Sequence, residues 1–387
     1  MKKIFHGFVC ILFFAVLFCS FPIALIIYGR KKCWIISEVD FDARDNGFCF
    51  FQFLREKHKE INAFYVISKK NINYKSVKAL GNVVEPKSYK HILLFIASKV
   101  KASTLVNGCS PSYFFTKYYL SKHHFTGKNI ALKHGIFKNV HPNYFKDKAH
   151  LDLICCGALP EYNFIDKEFG YESNVAQYTG LARFDKLHNI TLKKAILIMP
   201  TWRRWLDNIK TCSDFESTFY FQQWNNFIND KAFLEMTEKK GLAVNFYIHP
   251  KLNRFKSSFN SMANKVHFLN TEDGEDIQKH LLESILLITD FSSVFFDFAY
   301  MKKVAVFYQF DEEKYFHQHY SKGYFDYRKD GFGPVCDTCD ALVHEVMKAS
   351  ENNFEIETIY KQRSDYFFPL CDENNCERIF KAIIELL

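Results

Sequence analysis

The chain has 387 residues, of which 48% are hydrophobic and 24% charged, with only 15 Gly and 9 Pro, and its formal net charge is +8 at pH 7. This composition excludes a disordered or collagen-like chain, and the length predicts two domains because single cores rarely exceed about 250–300 residues. Lys and Arg are scattered among Asp and Glu, so the positive charge suits anionic substrates or an anionic membrane surface and does not form a nucleic-acid-binding stripe.

The first predicted element is an N-terminal membrane anchor over residues 1–32. No side chain in residues 4–29 is charged when histidine is neutral, and a helix needs about 20 apolar residues to cross a bilayer. Residues 17–20 lack the small side chains of a signal-peptide cleavage site. The basic residues 30–32 predict that the body of the protein lies on the cytoplasmic face of the cell membrane. Pro22 leaves a re-entrant or interfacial anchor open.

From Cys33 onward, short buried strands alternate with helices in two series. The first series predicts strands at 33–37, 63–67, 103–107, 130–133 and 153–156, and helices at 48–58 and 89–99. The second predicts strands at 195–199, 244–248, 266–269, 286–288 and 304–308, and helices at 221–240, 276–283, 294–301 and 375–387. Such alternation predicts an α/β protein with parallel sheets covered by helices. We therefore expect two Rossmann-like domains, residues 33–188 and 189–387.

The 12 cysteines have irregular spacings, which predicts reduced cytosolic thiols and no disulfide framework. Cys336 and Cys339 form a CxxC pair. A zinc site with Cys371 and Cys376 is the alternative, but the second pair has the wrong spacing for a zinc ribbon.

Polar residues follow several predicted strands, at the edge where doubly wound folds bind ligands. They are Lys133-His134-Gly135, Pro200-Thr201-Trp202-Arg203-Arg204, His249-Pro250 and Thr289-Asp290-Phe291-Ser292-Ser293. Two such domains in tandem predict a cleft between them. Each group alone is a weak signal, since a lone histidine is more often structural. Together they supply cations for a diphosphate and a base for a hydroxyl, as phosphoryl or glycosyl transfer from a nucleotide diphosphate requires.

The hydroxyl-rich turn at residues 289–293 stands between a buried strand and a helix. Ser and Asp at a helix start cap free N–H groups, and the same groups can bind an anion. A plain capped helix and a phosphate site are both open interpretations of this turn.

An ordered set of motifs resembles the CDP-glycerol glycerophosphotransferases of teichoic-acid and capsule-type polymer synthesis. The motifs are Glu38 with Ala43-Arg44-Asp45-Asn46-Gly47, Lys133-His134-Gly135, Gly180-Leu181-Ala182-Arg183-Phe184-Asp185, Pro200-Thr201-Trp202-Arg203, Ile248-His249-Pro250, the stretch 288–297 and Gly333-Pro334. No single motif is specific, but their order is. The resemblance implies a two-domain GT-B-like fold with the nucleotide held mainly by the second domain. Lys133 departs from the Gln or Trp common at its position, and the N-terminal anchor is not a general family feature.

The resemblance also implies transfer of a glycerol phosphate unit from CDP-glycerol, or a related CDP-alditol, to a hydroxyl of a lipid-linked or polymer acceptor, with release of CMP. His134 and His249 match the family's essential histidines, and His134 is the predicted base. His249 and Arg203 are expected to face the diphosphate. The predicted substrate-binding residues are Gly135, Arg203, Thr289, Asp290, Ser292, Ser293 and Asp297. Asp297 either accepts from a ribose hydroxyl or is an ordinary helix-surface carboxylate.

Three alternatives stay open: a GT-B glycosyltransferase that uses a nucleotide sugar, a CDP-ribitol ribitolphosphotransferase, and a membrane-tethered scaffold that binds anionic lipid or polymer. Asp40-Phe41-Asp42 is a DxD triplet of the kind that holds a metal in single-domain sugar transferases, but it follows the first strand too closely. Asp45 and Asn46 are instead expected to cap the next helix. No dinucleotide or P-loop motif occurs. The sequence indicates no definite cofactor and leaves a divalent cation open.

Overall fold

The computed structural model describes residues 2–29, 32–39, 42–188, 190–259, 265–270, 277–319 and 321–387. The chain forms two compact units. Unit 1 consists of Met1–Ile136, His141–Lys186 and Leu370–Leu387, and unit 2 of Phe137–Val140 and Leu187–Pro369.

Helices and short strands alternate along the whole chain. The strands are β1 (Trp34–Ser37), β2 (Ala63–Val66), β3 (Asn82–Val84), β4 (Val100–Ser103), β5 (Lys128–Ala131), β6 (Leu153–Cys156), β7 (Ala176–Tyr178), β8 (Lys193–Met199), β9 (Ala243–Tyr247), β10 (Val266–Leu269), β11 (Ser284–Thr289), β12 (Val304–Tyr308) and β13 (Val335–Cys336). The helices are α1 (Lys2–Tyr28), α2 (Asn46–Lys57), α3 (Tyr74–Leu80), α4 (Tyr89–Ala97), α5 (Tyr113–Phe115), α6 (Leu159–Glu168), α7 (Cys212–Glu216), α8 (Phe219–Ile228), α9 (Lys231–Lys240), α10 (Ile277–Glu283), α11 (Phe295–Tyr300), α12 (Glu312–Gln318), α13 (Tyr327–Asp330), α14 (Cys339–Glu351), α15 (Thr358–Phe367) and α16 (Asn375–Glu385).

Unit 1 is built on a parallel sheet in the order β3-β2-β1-β4-β5-β6-β7. Every residue of β1, β2, β4 and β6 is buried, which is typical of a parallel sheet covered by helices on both faces. Trp34 of β1 lies in one core cluster with Phe50, Phe51 and Leu54 of α2. The aromatic face of α2 therefore forms one cover of this sheet.

Unit 2 is built on a parallel sheet in the order β10-β9-β8-β11-β12-β13. Its core cluster combines aliphatic strand residues with large aromatic side chains, among them Trp224 of α8 and Phe246 of β9. The order reverses between β8 and β11, whose pairing runs to Met199 opposite Thr289. Such a reversal opens a crevice beyond the strand ends, where ligands bind in this fold class.

Most predicted strands are present, with shifts at their ends. The strand expected at 103–107 is instead β4 and ends at Ser103, where the Ser103 hydroxyl accepts from the Leu105 backbone N–H at 3.2 Å and turns the chain. Three short strands, β3, β7 and β13, were not predicted. Each has only two or three residues, too few to show an apolar period.

The single helix expected at 221–240 is two helices, α8 and α9. The break falls at Asn229 and Asp230, and the Asp230 carboxylate accepts from the Phe233 backbone N–H at 2.8 Å. An aspartate in this position starts a new helix. The predicted start of the helix at Asp276 lies outside the described residues.

The last helix belongs to unit 1, whereas the sequence assigned residues 189–387 as a whole to the second domain. Buried Ile379 and Ile383 of α16 lie in the same core cluster as Trp34. The apolar face of α16 completes the cover over the first sheet, which corrects the predicted boundary.

The start of α16 is held by the Gly180–Asp185 motif. Gly180 has a φ of +77°, and a Cβ there would lie 1.7 Å from the Asn375 side-chain oxygen, so only glycine fits. The Asp185 carboxylate accepts from the backbone N–H groups of Asn375 and Cys376 at 2.8 and 2.9 Å. These bonds satisfy donors that a helix start leaves free.

Helix α1 packs on unit 1 along one face. Leu17 and Ala24 are buried in a cluster with Phe95 of α4, so the predicted separation of residues 1–32 from the first domain is wrong. The other face stays apolar and exposed, with Phe18 83% and Ile26 84% exposed. By length and composition the stretch Val9–Tyr28, with a mean hydropathy of 2.8, could cross a membrane. Two of the basic flanking residues, 30 and 31, lie outside the described residues.

Candidate active site

His134 follows β5 on a turn that Lys133 forms. Lys133 has a φ of +58°, a left-handed conformation that costs a non-glycine residue about 1–3 kcal/mol. The Asn46 side-chain amide donates to the Lys133 carbonyl at 2.8 Å, and the fully buried Lys133 ammonium pairs with Glu161. These anchors hold the turn, and they leave the His134 side chain exposed. Gly135 follows in the same bend and is buried.

The exposed imidazole of His134 is paired with Asp45. His134 Nδ1 lies 2.5 Å from Asp45 Oδ2, and because an ionised carboxylate only accepts, Nδ1 must donate. In the neutral ring this leaves Nε2 with its lone pair free to accept a proton. The charge of Asp45 raises the pKa of His134, which makes the imidazole a stronger base.

Arg183 fixes this pair in place. Its Nη1 donates to Asp45 Oδ1 at 3.0 Å and to the His134 carbonyl at 2.8 Å. Burial would raise the pKa of Asp45, but the charges of His134 and Arg183 outweigh it and lower that pKa. Asp45 is therefore ionised near neutral pH. Arg183 belonged to a recognised motif, but no role was predicted for it because its partners lie far away along the chain.

The prediction that Asp45 and Asn46 cap helix α2 is wrong. The Asp45 side chain makes no capping bond to α2. The side chain of Glu38, which follows β1, caps the helix instead. Its carboxylate accepts from the backbone N–H groups of Asp45 and Phe48 at 3.0 and 2.6 Å. Because Glu38 satisfies the helix start, Asp45 is free to contact His134. Asp40 and Phe41 of the DxD triplet lie outside the described residues.

In unit 2, the predicted site residues follow β9, β8 and β11, three neighbours in the sheet. Parallel strands all end at the same edge, so these residues share one edge of unit 2. Their side chains nevertheless point in different directions.

Arg203 points into the interior of unit 2. Its side chain is fully buried, donates from Nε and Nη2 to Asp311 at 2.8 Å each, and pairs through Nη1 with Asp290 at 2.8 Å. The guanidinium carbon also lies 5.0 Å from the Phe291 ring centroid. The prediction that Arg203 faces the diphosphate is therefore wrong for this structure. Arg203 ties together the loops after β8, β11 and β12.

Thr289 and Asp290 are also internal. Both are fully buried; the Thr289 hydroxyl donates to the Met199 carbonyl at 2.7 Å. Asp290 Oδ1 accepts from the backbone N–H groups of Thr201 and Phe291 at 2.8 and 2.5 Å. These contacts do not match the predicted phosphate-binding role. The two residues shape the turn and join β8 to β11.

Ser292 and Ser293 are the hydroxyls of this turn that stay half-buried. Ser292 Oγ makes only a long contact of 3.4 Å with the Val294 backbone N–H, and within the described residues the Ser293 hydroxyl makes no hydrogen bond. Both can therefore serve a ligand. Asp297 is only 6% exposed, so the surface-carboxylate interpretation is wrong, and its contact with ribose stays a prediction.

His249 lies two residues after the end of β9 and directly precedes a 3-10 segment, Pro250–Ser258. Its Nδ1 accepts from the Lys251 backbone N–H at 3.2 Å, so in the neutral ring Nε2 carries the hydrogen. Burial and the charge of Lys251 lower the pKa of His249 to about 4. Near neutral pH the ring offers a hydrogen-bond donor and no positive charge. The Trp202 ring stacks on it with a centroid distance of 6.2 Å.

No metal-binding group emerges from the residues described. No three or more His, Cys, Asp or Glu side chains of that part of the chain come together as a metal site. The cysteines are free thiols, and Cys336, Cys339, Cys371 and Cys376 form no zinc cluster.

Two parallel-sheet α/β units, each with polar residues at its strand ends, define a GT-B-like fold. The fold is similar to that of the wall teichoic acid polymerase TagF, with a TM-score of 0.67, 16% identity and coverage of 92% of this chain and 90% of that one. It is also similar to a UDP-GlcNAc 2-epimerase of Methanocaldococcus jannaschii, with a TM-score of 0.53, 11% identity and coverage of 92% and 99%. These likenesses concern the fold alone.

The chain belongs to the CDP-glycerol:poly(glycerophosphate) glycerophosphotransferase family, whose model matches residues 21–385. This confirms the resemblance found in the motifs. The chain is 32% identical over 371 residues to the minor teichoic acid biosynthesis protein GgaB of Bacillus subtilis, covering 93% of this chain and 40% of that protein. It is 25% identical over 260 residues to a teichoic acid poly(glycerol phosphate) polymerase of the same species, covering 63% and 33%. The chain thus spans less than half the length of these relatives.

Proposed function

We propose that this protein transfers glycerol phosphate from CDP-glycerol to a hydroxyl of a lipid-linked or polymer acceptor, with release of CMP, in teichoic-acid or related surface-polymer synthesis. Family membership supports the reaction class. The observation that carries the proposal is the Asp45–His134 pair, whose 2.5 Å contact leaves Nε2 of an exposed imidazole free to accept a proton.

The acceptor hydroxyl attacks the phosphorus atom that carries glycerol, and the bond from that phosphorus to the bridging diphosphate oxygen breaks. His134 Nε2 takes the hydroxyl proton, and Asp45 stabilises the imidazolium ion that forms. The electron pair of the broken bond leaves with CMP.

Unit 2 supplies donors for the nucleotide side. His249 offers its Nε2–H as a neutral donor to a phosphate oxygen, and Ser292 and Ser293 offer hydroxyl groups. Donors aimed at an oxygen where charge develops lower the barrier because they need no rearrangement during the reaction. His249→Gln keeps an N–H donor at this position, so it should retain more activity than His249→Ala.

The test incubates the purified protein with a lipid-linked acceptor and CDP-glycerol, CDP-ribitol or a panel of UDP- and GDP-sugars. We expect acceptor-dependent CMP from CDP-glycerol, and a loss of about a hundredfold or more in His134→Ala and His249→Ala. Release of CMP from CDP-ribitol alone would instead assign a CDP-ribitol ribitolphosphotransferase activity. Release of UDP or GDP with both CDP-alditols untouched would refute the proposal.

We further propose that α1 attaches the protein to the cytoplasmic face of the cell membrane. Its exposed apolar face, with Phe18 and Ile26 more than 80% exposed, is a lipid-binding surface typical of interfacial helices. Because Leu17 and Ala24 on the other face are buried against unit 1, α1 lies at the interface in this proposal and does not cross the bilayer alone.

A further inference from the structure

Lys138 is a buried lysine of unit 2 that has no oxygen partner among the residues the structure describes. Lys138 is only 7% exposed. Across the described residues, its ammonium group makes no hydrogen bond and no ion pair. Lys138 Nζ lies over the ring of Phe295, 5.8 Å from the ring centroid. Phe295 comes two residues after Ser293, and the charge of Asp290, which belongs to the hydroxyl-rich turn, acts on Lys138.

The other buried lysines of the described chain each have oxygen partners. Lys303, which is 8% exposed, donates to the carbonyls of Leu281 and Leu282 at 2.9 Å each. Lys133 pairs with Glu161. A buried charge without a partner costs several kcal/mol and is rare in folded proteins. Lys138 therefore carries a cost that a ligand from outside the chain can offset.

The backbone of Lys138 is held firmly. Asn139 pairs with Lys322 in an isolated antiparallel bridge, and a Cβ on Gly323 would lie 2.3 Å from the Lys138 carbonyl oxygen. Only glycine permits this close approach, which fixes residues 137–140 against the rest of unit 2. The ammonium group is thus placed by the fold and not by a flexible surface chain.

The surroundings fit an anionic oxygen. Ser292 and Ser293 leave hydroxyl groups available on the same turn, while the neighbouring Asp290 carboxylate is occupied by Arg203 and two backbone N–H groups. Burial lowers the pKa of Lys138 to about 8, against the opposing charge of Asp290. A phosphate beside it would hold the ammonium in its charged form.

We propose that Lys138 binds a phosphate group of the donor's nucleoside diphosphate. This rests on the proposed function and assigns to Lys138 the cationic role that Arg203 cannot fill. The ammonium offsets the charge of the diphosphate on binding and of the CMP phosphate as it leaves. The ammonium group has no oxygen partner among the described residues, and in this proposal the phosphate of the substrate supplies one.

The first test measures CDP binding by isothermal titration calorimetry for the full chain and for Lys138→Met. We expect CDP affinity to fall about tenfold to a hundredfold, with partial recovery in Lys138→Arg. The melting temperature of Lys138→Met should stay equal or rise, since an unpaired buried charge is removed. Wild-type CDP affinity in a folded Lys138→Met protein would overturn the inference.

Lys303→Met is the matched control, because it removes a lysine of similar burial from the same unit that has two carbonyl partners. It should lower the melting temperature and leave CDP affinity of the folded protein unchanged. If instead both variants weaken CDP binding to the same degree, the effect is general and the inference fails.

The second test measures the protons taken up when CDP binds. Near pH 8, CDP binding to the wild-type protein should be accompanied by proton uptake, visible as a buffer-dependent heat in HEPES and Tris, because the diphosphate raises the pKa of Lys138. Asp290 is the charged group that acts on Lys138 in the free protein. The uptake should be absent in Lys138→Met, and equal uptake in both proteins would contradict the assignment.

Turnover separates this inference from the proposed function. CDP binding that depends on Lys138, without CMP release from any CDP-alditol, would refute the proposed reaction and leave the phosphate ligand in place. CMP release from CDP-glycerol at the wild-type rate in Lys138→Met would refute the ligand and support the reaction.

Discussion

Replacing Asp45 with Asn removes the charge beside His134 and keeps the size of the side chain. An amide can donate to Nδ1, so the variant favours the neutral tautomer with its hydrogen on Nε2, which cannot accept a proton. A hydrogen bond to a charged group contributes about 1.5–3 kcal/mol, and each 1.4 kcal/mol corresponds to tenfold in rate. Tautomer reversal adds to this loss, so we expect kcat to fall about a hundredfold or more.

The pH–rate profile of Asp45→Asn should shift in a direction that the His134 pKa determines. Asp45 raises the pKa of His134, and the neutral ring is the base, so the rate rises as pH increases through that pKa. Without the carboxylate the pKa falls, and the rising part of the kcat/KM profile should shift to lower pH while its plateau drops. CMP release across pH 5 to 9 measures both effects.

Asp152→Asn is a matched control in unit 1. Asp152 accepts from the Asn129 backbone N–H at 2.8 Å and pairs with Lys128 at 3.1 Å, so its loss perturbs a carboxylate network that does not include His134. It should leave the pH profile in place. An unshifted profile with near-normal kcat in Asp45→Asn would refute the role given to the Asp45–His134 pair.

Three further predictions concern unit 2 and α1. Ser292→Ala and Ser293→Ala should each raise the Kd of CDP about two- to tenfold, the value of a net hydrogen bond of about 0.5–1.5 kcal/mol; unchanged Kd values in both would exclude these hydroxyls. Arg203→Met should cost about 3–5 kcal/mol of unfolding free energy, because it leaves buried carboxylates unpaired; urea unfolding measures this, and a stable variant with weak CDP binding would restore Arg203 as a ligand. Ile26→Asp should reduce co-sedimentation with anionic vesicles at an unchanged melting temperature, whereas Leu17→Ala should cost about 2–5 kcal/mol of stability; vesicle binding unaffected by Ile26→Asp would exclude the exposed face as the anchor.

The alternation of apolar strands and helices was enough to predict two parallel-sheet α/β units, because a strand buried on both faces needs a continuous apolar run such as Leu286 to Ile288. The same local pattern could not assign α16. Its apolar face fits the cover of either sheet, and the choice depends on a contact between Asp185 and the backbone of Asn375, far apart in sequence.

Within the site, the motifs predicted the positions of the polar residues more accurately than their roles. His134 and His249 stand at strand ends as predicted, but the direction of a side chain depends on partners that pattern does not show. Arg203 was predicted to face a diphosphate, but its ion pair with Asp311 holds the side chain in the interior of unit 2. Lys138 was missed because a single lysine gives no signal until its burial, and its lack of an oxygen partner among the described residues, are known.

The return of α16 to unit 1 has a consequence for synthesis of the protein. The ribosome has made most of unit 1 when it reaches Lys186, and α16 begins only at Asn375. At about 5–20 residues per second it needs about 10–40 s to make the 188 intervening residues, 187–374. During that interval the aromatic surface around Trp34 lacks its final helix. A nascent chain in this state exposes an apolar surface that chaperones recognise, and a truncation before Asn375 would leave that surface exposed permanently.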